Sequence, residues 1–136
     1  MTDQKATQRV MAKDPRGRAD TRRFAFSPVI LTATTAGTAQ LVISANGDEV
    51  LELTALNVAH EGHSGGEGPH VEVSLCLVDL GGTASDANAA FSALKVSDGV
   101  ALDLGGRLLL NPGQSLYAFT SDANHLRVSG WVTAHL

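Results

Sequence analysis

One cysteine, Cys76, stands in the whole chain, so no disulfide can close within it and the fold must rest on a packed interior. A lone thiol also fits assembly in a reducing cytoplasm. Aromatic residues are scarce at 4%, with one Trp, one Tyr and four Phe, so the core is aliphatic and a sugar site built on stacked rings is disfavoured. No apolar run reaches the roughly 18–20 residues that a membrane-crossing helix needs, and no membrane partner is expected. The opening Met1-Thr2-Asp3-Gln4-Lys5 lacks the apolar stretch of a secretory signal, which again leads to the expectation of a cytoplasmic start. Helical periodicity does not persist over a useful length. Gly81-Gly82 and Gly105-Gly106 lie between strand-like runs with no helix after them, so neither pair forms a phosphate cradle.

Positive charge is nearly missing after residue 23. Lys5, Arg9, Lys13, Arg16, Arg18, Arg22 and Arg23 face only Asp3, Asp14 and Asp20 in residues 1–23, a net +4. The remainder holds Lys95, Arg107 and Arg127 against eleven carboxylates, a net −8, and the two parts give the chain its −4. The basic stretch carries few large apolar side chains and the breaker Asp14-Pro15-Arg16-Gly17, so by itself it buries too little to offset its ordering entropy. A basic extension on an acidic body can draw copies of the chain together. The expected organisation is an extended basic N-terminal arm over residues 1–26 and one domain over residues 27–136.

What is present is strand texture. Ser27–Thr34, Thr38–Ser44, Glu49–Ala59, Val71–Val78, Val100–Leu104, Leu108–Leu110, Ser115–Thr120 and Leu126–Ala134 are rich in β-formers and separated by turn signals. Val71, Val73, Leu75 and Leu77 alternate with Glu72, Ser74, Cys76 and Val78, the period of a strand with one buried face. In the last run Leu126, Val128, Gly130 and Val132 oppose Arg127, Ser129, Trp131 and Thr133. Asn46-Gly47-Asp48 reads as a tight hairpin between neighbouring strands. Asn111-Pro112-Gly113-Gln114 places Pro and Gly where a type II turn needs them. Ala89–Val96 reads either as a strand or as a helical turn. Eight or nine short strands predict an all-β fold, a single antiparallel β-sandwich of Ig-like or jelly-roll type.

Chemistry-bearing patterns are thin. His60-Glu61-Gly62-His63 through His70 gathers three histidines in a glycine-rich loop, and His60, His63 and His70 come nearest to a metal-ligand set. The histidines are spaced three apart with no helix to align them, so no metal or other cofactor is expected. Neither Ser64 nor Ser74 stands in a nucleophile-elbow sequence, and Cys76 has no neighbouring cation to activate it. Glu52 and Glu72 are strand carboxylates that would serve glycosidic chemistry only if they met across a sheet. No catalytic residue is assigned, and the chain is not expected to be an enzyme. The basic stretch has no ring to stack on bases before Phe24 and Phe26, so nucleic acid is not an expected partner. An assembly arm is expected instead, with Arg16, Arg18, Arg22, Arg23, Phe24 and Phe26 as its contacts. Trp131, opposite the core face of its strand, reads either as an interface anchor or as a ring packed under a loop.

A sequence of signals links Leu31-Thr32, Leu41-Val42-Ile43, Leu53-Thr54-Ala55-Leu56-Asn57-Val58 and Val73-Ser74-Leu75-Cys76-Leu77-Val78. It closes on Leu110-Asn111-Pro112-Gly113-Gln114-Ser115-Leu116-Tyr117-Ala118 and Val128-Ser129-Gly130-Trp131-Val132. Over about residues 30–134 this order resembles the small β-sandwich virion structural proteins of tailed bacteriophages, of decoration, connector or tail-fibre type. The resemblance implies a virion component assembled in the bacterial host cytoplasm, with other virion proteins as partners, and it brings no active-site residues. Capsid decoration by a homo-oligomer, laced to neighbours by the arm, is the first expectation. A neck, tail or fibre subunit with a carbohydrate- or receptor-binding sandwich is the alternative.

Overall fold

The computed structural model describes residues 21–60, 71–97, 100–104 and 108–135. They form nine strands: β1 (Thr21–Ile30), β2 (Gln40–Ser44), β3 (Val50–His60), β4 (Val71–Val78), β5 (Ala89–Val96), β6 (Ala101–Asp103), β7 (Leu108–Leu110), β8 (Ser115–Thr120) and β9 (Leu126–His135). One sheet runs β1-β9-β3, with β6 and β7 end to end along the outer edge of β3; the other runs β2-β8-β4-β5. All pairings are antiparallel.

The pairing order decides between the two expected architectures. β4 pairs β5, β3 pairs β6 and β7, β2 pairs β8, and β1 pairs β9. The chain is thus one long ribbon folded back at β4–β5, rolled so that successive pairs fall in alternate sheets. That is a jelly roll, two packed antiparallel sheets between which the rolled ribbon alternates. It also corrects the reading of Asn46-Gly47-Asp48 as a hairpin. β2 and β3 lie in different sheets, and the turn crosses between them. Glu49, only 2% exposed, accepts the Asn46 N–H through Oε1 at 2.9 Å, and the Asn46 carbonyl accepts the Gly113 N–H at 3.1 Å. The type II turn forms as expected: Gly113 has φ +83° and Gln114 N–H donates to the Asn111 carbonyl at 2.9 Å.

The core is aliphatic, as the composition requires. Leu51, Leu53, Leu56, Val58, Val128 and Val132 face Val73, Leu75, Leu116 and Ala118 with no exposure. Each such side chain contributes about 1.5–3 kcal/mol by leaving water. In β3 the buried positions change parity, from Leu51 and Leu53 to Leu56 and Val58, because a bulge lies between Leu53 and Ala55. Ala89–Val96 resolves as a strand, irregular at Ala93, whose φ is +54° and whose N–H donates to Ser74 Oγ at 3.0 Å.

The boundary expected at residues 26 and 27 is displaced. β1 starts at Thr21, and Arg22 to Phe26 pair residue for residue with Ala134 to Gly130 of β9. Phe26 is buried, and Phe24 packs on the core, so apolar burial draws this stretch into the sandwich. Residues 1–20 lie outside the described residues.

Candidate functional site

The outer face of the first sheet gathers three of the residues singled out above, Trp131, Arg23 and Glu52. β9 is central, and its outward positions alternate with the buried Gly130, Val132 and Ala134. Trp131 therefore points away from the core and stays 47% exposed. Its neighbours in register are small, Ala25 on β1 and Ala55 on β3, so the indole stands above hollows on both sides. One row along the sheet, Thr133 lies between Arg23 of β1 and Glu52 of β3, and Leu109 of β7, 49% exposed, extends that row. The Arg23 guanidinium carbon sits 5.8 Å from the Trp131 ring centroid, within cation–π reach. Glu52 Oε1 is 3.2 Å from His135 Nε2.

The close approach of β3 and β9 behind the indole depends on Gly130. A Cβ there would stand 2.1 Å from the Ala55 carbonyl oxygen and 2.9 Å from Phe26 Cε2. The bulge in β3 brings that carbonyl forward, and Thr54 donates its hydroxyl to the Trp131 carbonyl at 3.3 Å. Phe26 covers the missing side chain of Gly130 from β1, its direct partner in register.

Of the expected arm contacts, Arg22, Arg23, Phe24 and Phe26 are thus residues of β1, while Arg16 and Arg18 lie outside the described residues. His63 and His70 also lie outside them. His60 closes β3, faces inward at 4% exposure and packs with its ring centroid 5.7 Å from that of His125. His125 in turn places Nε2 3.4 Å from Asp122 Oδ2. Among the described residues no three His, Cys, Asp or Glu side chains cluster to hold a metal ion.

The second sheet carries an open recess of about 360 Å³ that sequence reasoning missed, lined by Glu72, Asp86 and Phe119 together with serines and threonines. The turn Thr83–Asn88 builds one wall. Ser85 N–H donates to Asn88 Oδ1 at 3.0 Å, and Asn88 Nδ2 donates to the Thr83 carbonyl at 2.9 Å. This turn also roofs Cys76, which is fully buried on the outer side of β4 with Sγ 3.5 Å from the Ser85 carbonyl. Burial pushes the Cys76 thiol above its usual range, and the Ser85 hydrogen bond only partly offsets this. The thiol is therefore not a nucleophile poised at neutral pH. Ser74 Oγ already accepts the Ala93 N–H. Glu52 and Glu72 do not meet, because they stand on the outer faces of opposite sheets.

No family model matches the sequence. No curated protein matches it either. Among solved structures, a chain of infectious bursal disease virus, Gx strain, is similar to 93% of this one at 11% identity and a TM-score of 0.50. This chain spans about a third (36%) of the length of that viral chain. A chain from the disulfide-linked pili of Bacillus endospore appendages is similar over 85% of this chain and 86% of its own, at 14% identity and a TM-score of 0.45. At such identities the likeness to the viral chain is one of fold.

Proposed function

We propose that this chain is a non-enzymatic structural subunit of a particle, and specifically a capsid decoration protein of a tailed phage. Its basic N-terminal arm would lace it to neighbouring virion proteins. The observation that carries the reading is the outer face of the first sheet, where a half-exposed Trp131 stands beside Arg23 and is flanked by the small Ala25 and Ala55. Aromatic and arginine side chains with this exposure are the usual anchors of protein interfaces. The arm enters the body along β1, at the edge of this same sheet, so a segment tethered there and a docked partner would act together. Repeated weak contacts of this kind gain strength by avidity on a symmetric shell. The jelly roll supports the reading at the level of fold alone, since capsid domains and lectins both use it.

One observation favours the alternative of a neck, tail or fibre subunit that binds carbohydrate. The recess of Glu72, Asp86, Ser92 and Phe119 offers carboxylates and hydroxyls beside a ring, a combination that suits sugar hydroxyl groups. The test is to mix the purified full chain, and a variant lacking residues 2–20, with particles devoid of the protein. Coating by the full chain and not by the shortened one is expected. Normal coating by the shortened chain ends the arm's role, and a full chain that ignores particles but binds glycans moves the assignment to the alternative.

A further inference from the structure

In the Thr133 and Trp131 rows the first sheet's outer face is complementary to itself. Along one row, Arg23, Thr133 and Glu52 stand on β1, β9 and β3, with the positive and negative side chains on either side of the central strand. Strands are about 4.8 Å apart, so the two charges flank β9 at equal distances. The next row repeats the symmetry with Ala25, Trp131 and Ala55. A two-fold axis lying in the contact plane and parallel to β9 keeps each row at its own height and exchanges the flanks. Under that rotation β1 of one copy lies over β3 of the other. Arg23 then faces the second copy's Glu52, and the reverse contact forms by symmetry. Ala25 faces Ala55, and the two indoles lie side by side above the alanine hollows.

We infer that this face is an isologous dimer interface, occupied by a second copy of the chain, with Trp131 as its centre and two Arg23–Glu52 pairs as its flanks. The register alone sets this complementarity, and the single operation satisfies both charges twice. Leu109, beside Glu52 in the same row, comes over the outer side of the second copy's β1 and extends the apolar part of the contact. The Arg23 position over the indole holds the guanidinium on this face before a partner arrives, which lowers the ordering cost of association. The inference rests on reading the chain as an assembly subunit and adds the partner and the geometry.

Charge exchange tests it. The full chain, R23E, E52R, the double variant R23E/E52R and W131A are compared by sedimentation velocity over a wide concentration range. A concentration-dependent dimer is expected for the full chain. Each single reversal should weaken it by about tenfold or more, because it sets two like charges against each other across the axis. The double variant, which restores opposite charges at both contacts, should recover most of the loss. Trp131→Ala should abolish the dimer while the circular dichroism spectrum stays that of the folded chain. A wild-type chain that stays monomeric overturns the interface, as does a double variant no better than the singles. If that monomer still coats particles, the assembly reading stands and only the dimer falls.

Discussion

At the scale of single residues, two buried positions have consequences that can be measured. Gly130 is held by contact and not by turn geometry: any side chain meets the Ala55 carbonyl at 2.1 Å and the Phe26 ring at 2.9 Å. The carbonyl belongs to a paired strand and cannot withdraw without opening β3 from β9. Gly130→Ala should therefore cost at least about 3 kcal/mol in chemical denaturation, a large value for one methyl group. Cys76 supplies a pH dependence whose sign follows from burial. Its folded-state pKa is raised above the usual 9.0, so the folded chain keeps the thiol protonated where the unfolded chain ionises. Stability from this group is complete below pH 9.0 and is lost as pH rises through the folded value. Against Cys76→Ser, the wild type should lose stability more steeply above about pH 9. Alkylation by iodoacetamide should be slow in the folded chain and fast in denaturant.

At the scale of elements, the strand that carries the arm is the sensitive one. β1 reads from its sequence as basic and polar, since Thr21, Arg22 and Arg23 precede the first ring, and this is why the sequence pattern carries the expected arm to residue 26. Two residues decide otherwise: Phe24 packs on the core and Phe26 covers Gly130. Their partners lie more than a hundred positions later in β9, out of reach of any local pattern. Removing residues 2–20 should leave the thermal unfolding transition within a few degrees of wild type, whereas removing residues 2–26 strips an edge strand and should give an insoluble or unfolded chain. A shortened chain lacking 2–26 that melts cooperatively at the wild-type temperature would show that β1 contributes little to the sandwich. Most other strands were legible because one face is apolar and the other polar. The parity change from Leu53 to Leu56 even marks the β3 bulge in the sequence. What was not legible is pairing. Asn46-Gly47-Asp48 has hairpin chemistry, but the turn residues do not determine which sheet the next strand joins, and here it joins the opposite one. The recess was hidden for the same reason, since Glu72 and Asp86 meet only through the loop that folds over β4.

At the scale of the whole molecule, the displaced boundary redistributes charge between arm and body. Residues 1–20 keep Lys5, Arg9, Lys13, Arg16 and Arg18 against Asp3, Asp14 and Asp20, a net +2, while residues 21–136 carry a net −6, again giving −4. Two contacts of different character follow for an assembling subunit. The attachment proposed for residues 1–20 rests on their basic charge, so its attraction to acidic protein should fade as the Debye length shrinks from about 10 Å at 0.1 M salt to 3 Å at 1 M. The Trp131 face is compact and partly apolar, and salt should weaken it much less. Rising salt should therefore release the chain from particles while its dimer persists in solution. The check is to pellet coated particles across a salt series and to sediment the released chain at each step. Release and dissociation to monomer at the same salt would mean that one electrostatic contact accounts for both. Release of dimers at a salt that leaves them intact would separate the two surfaces, with the arm setting attachment and the sheet face setting the unit that attaches.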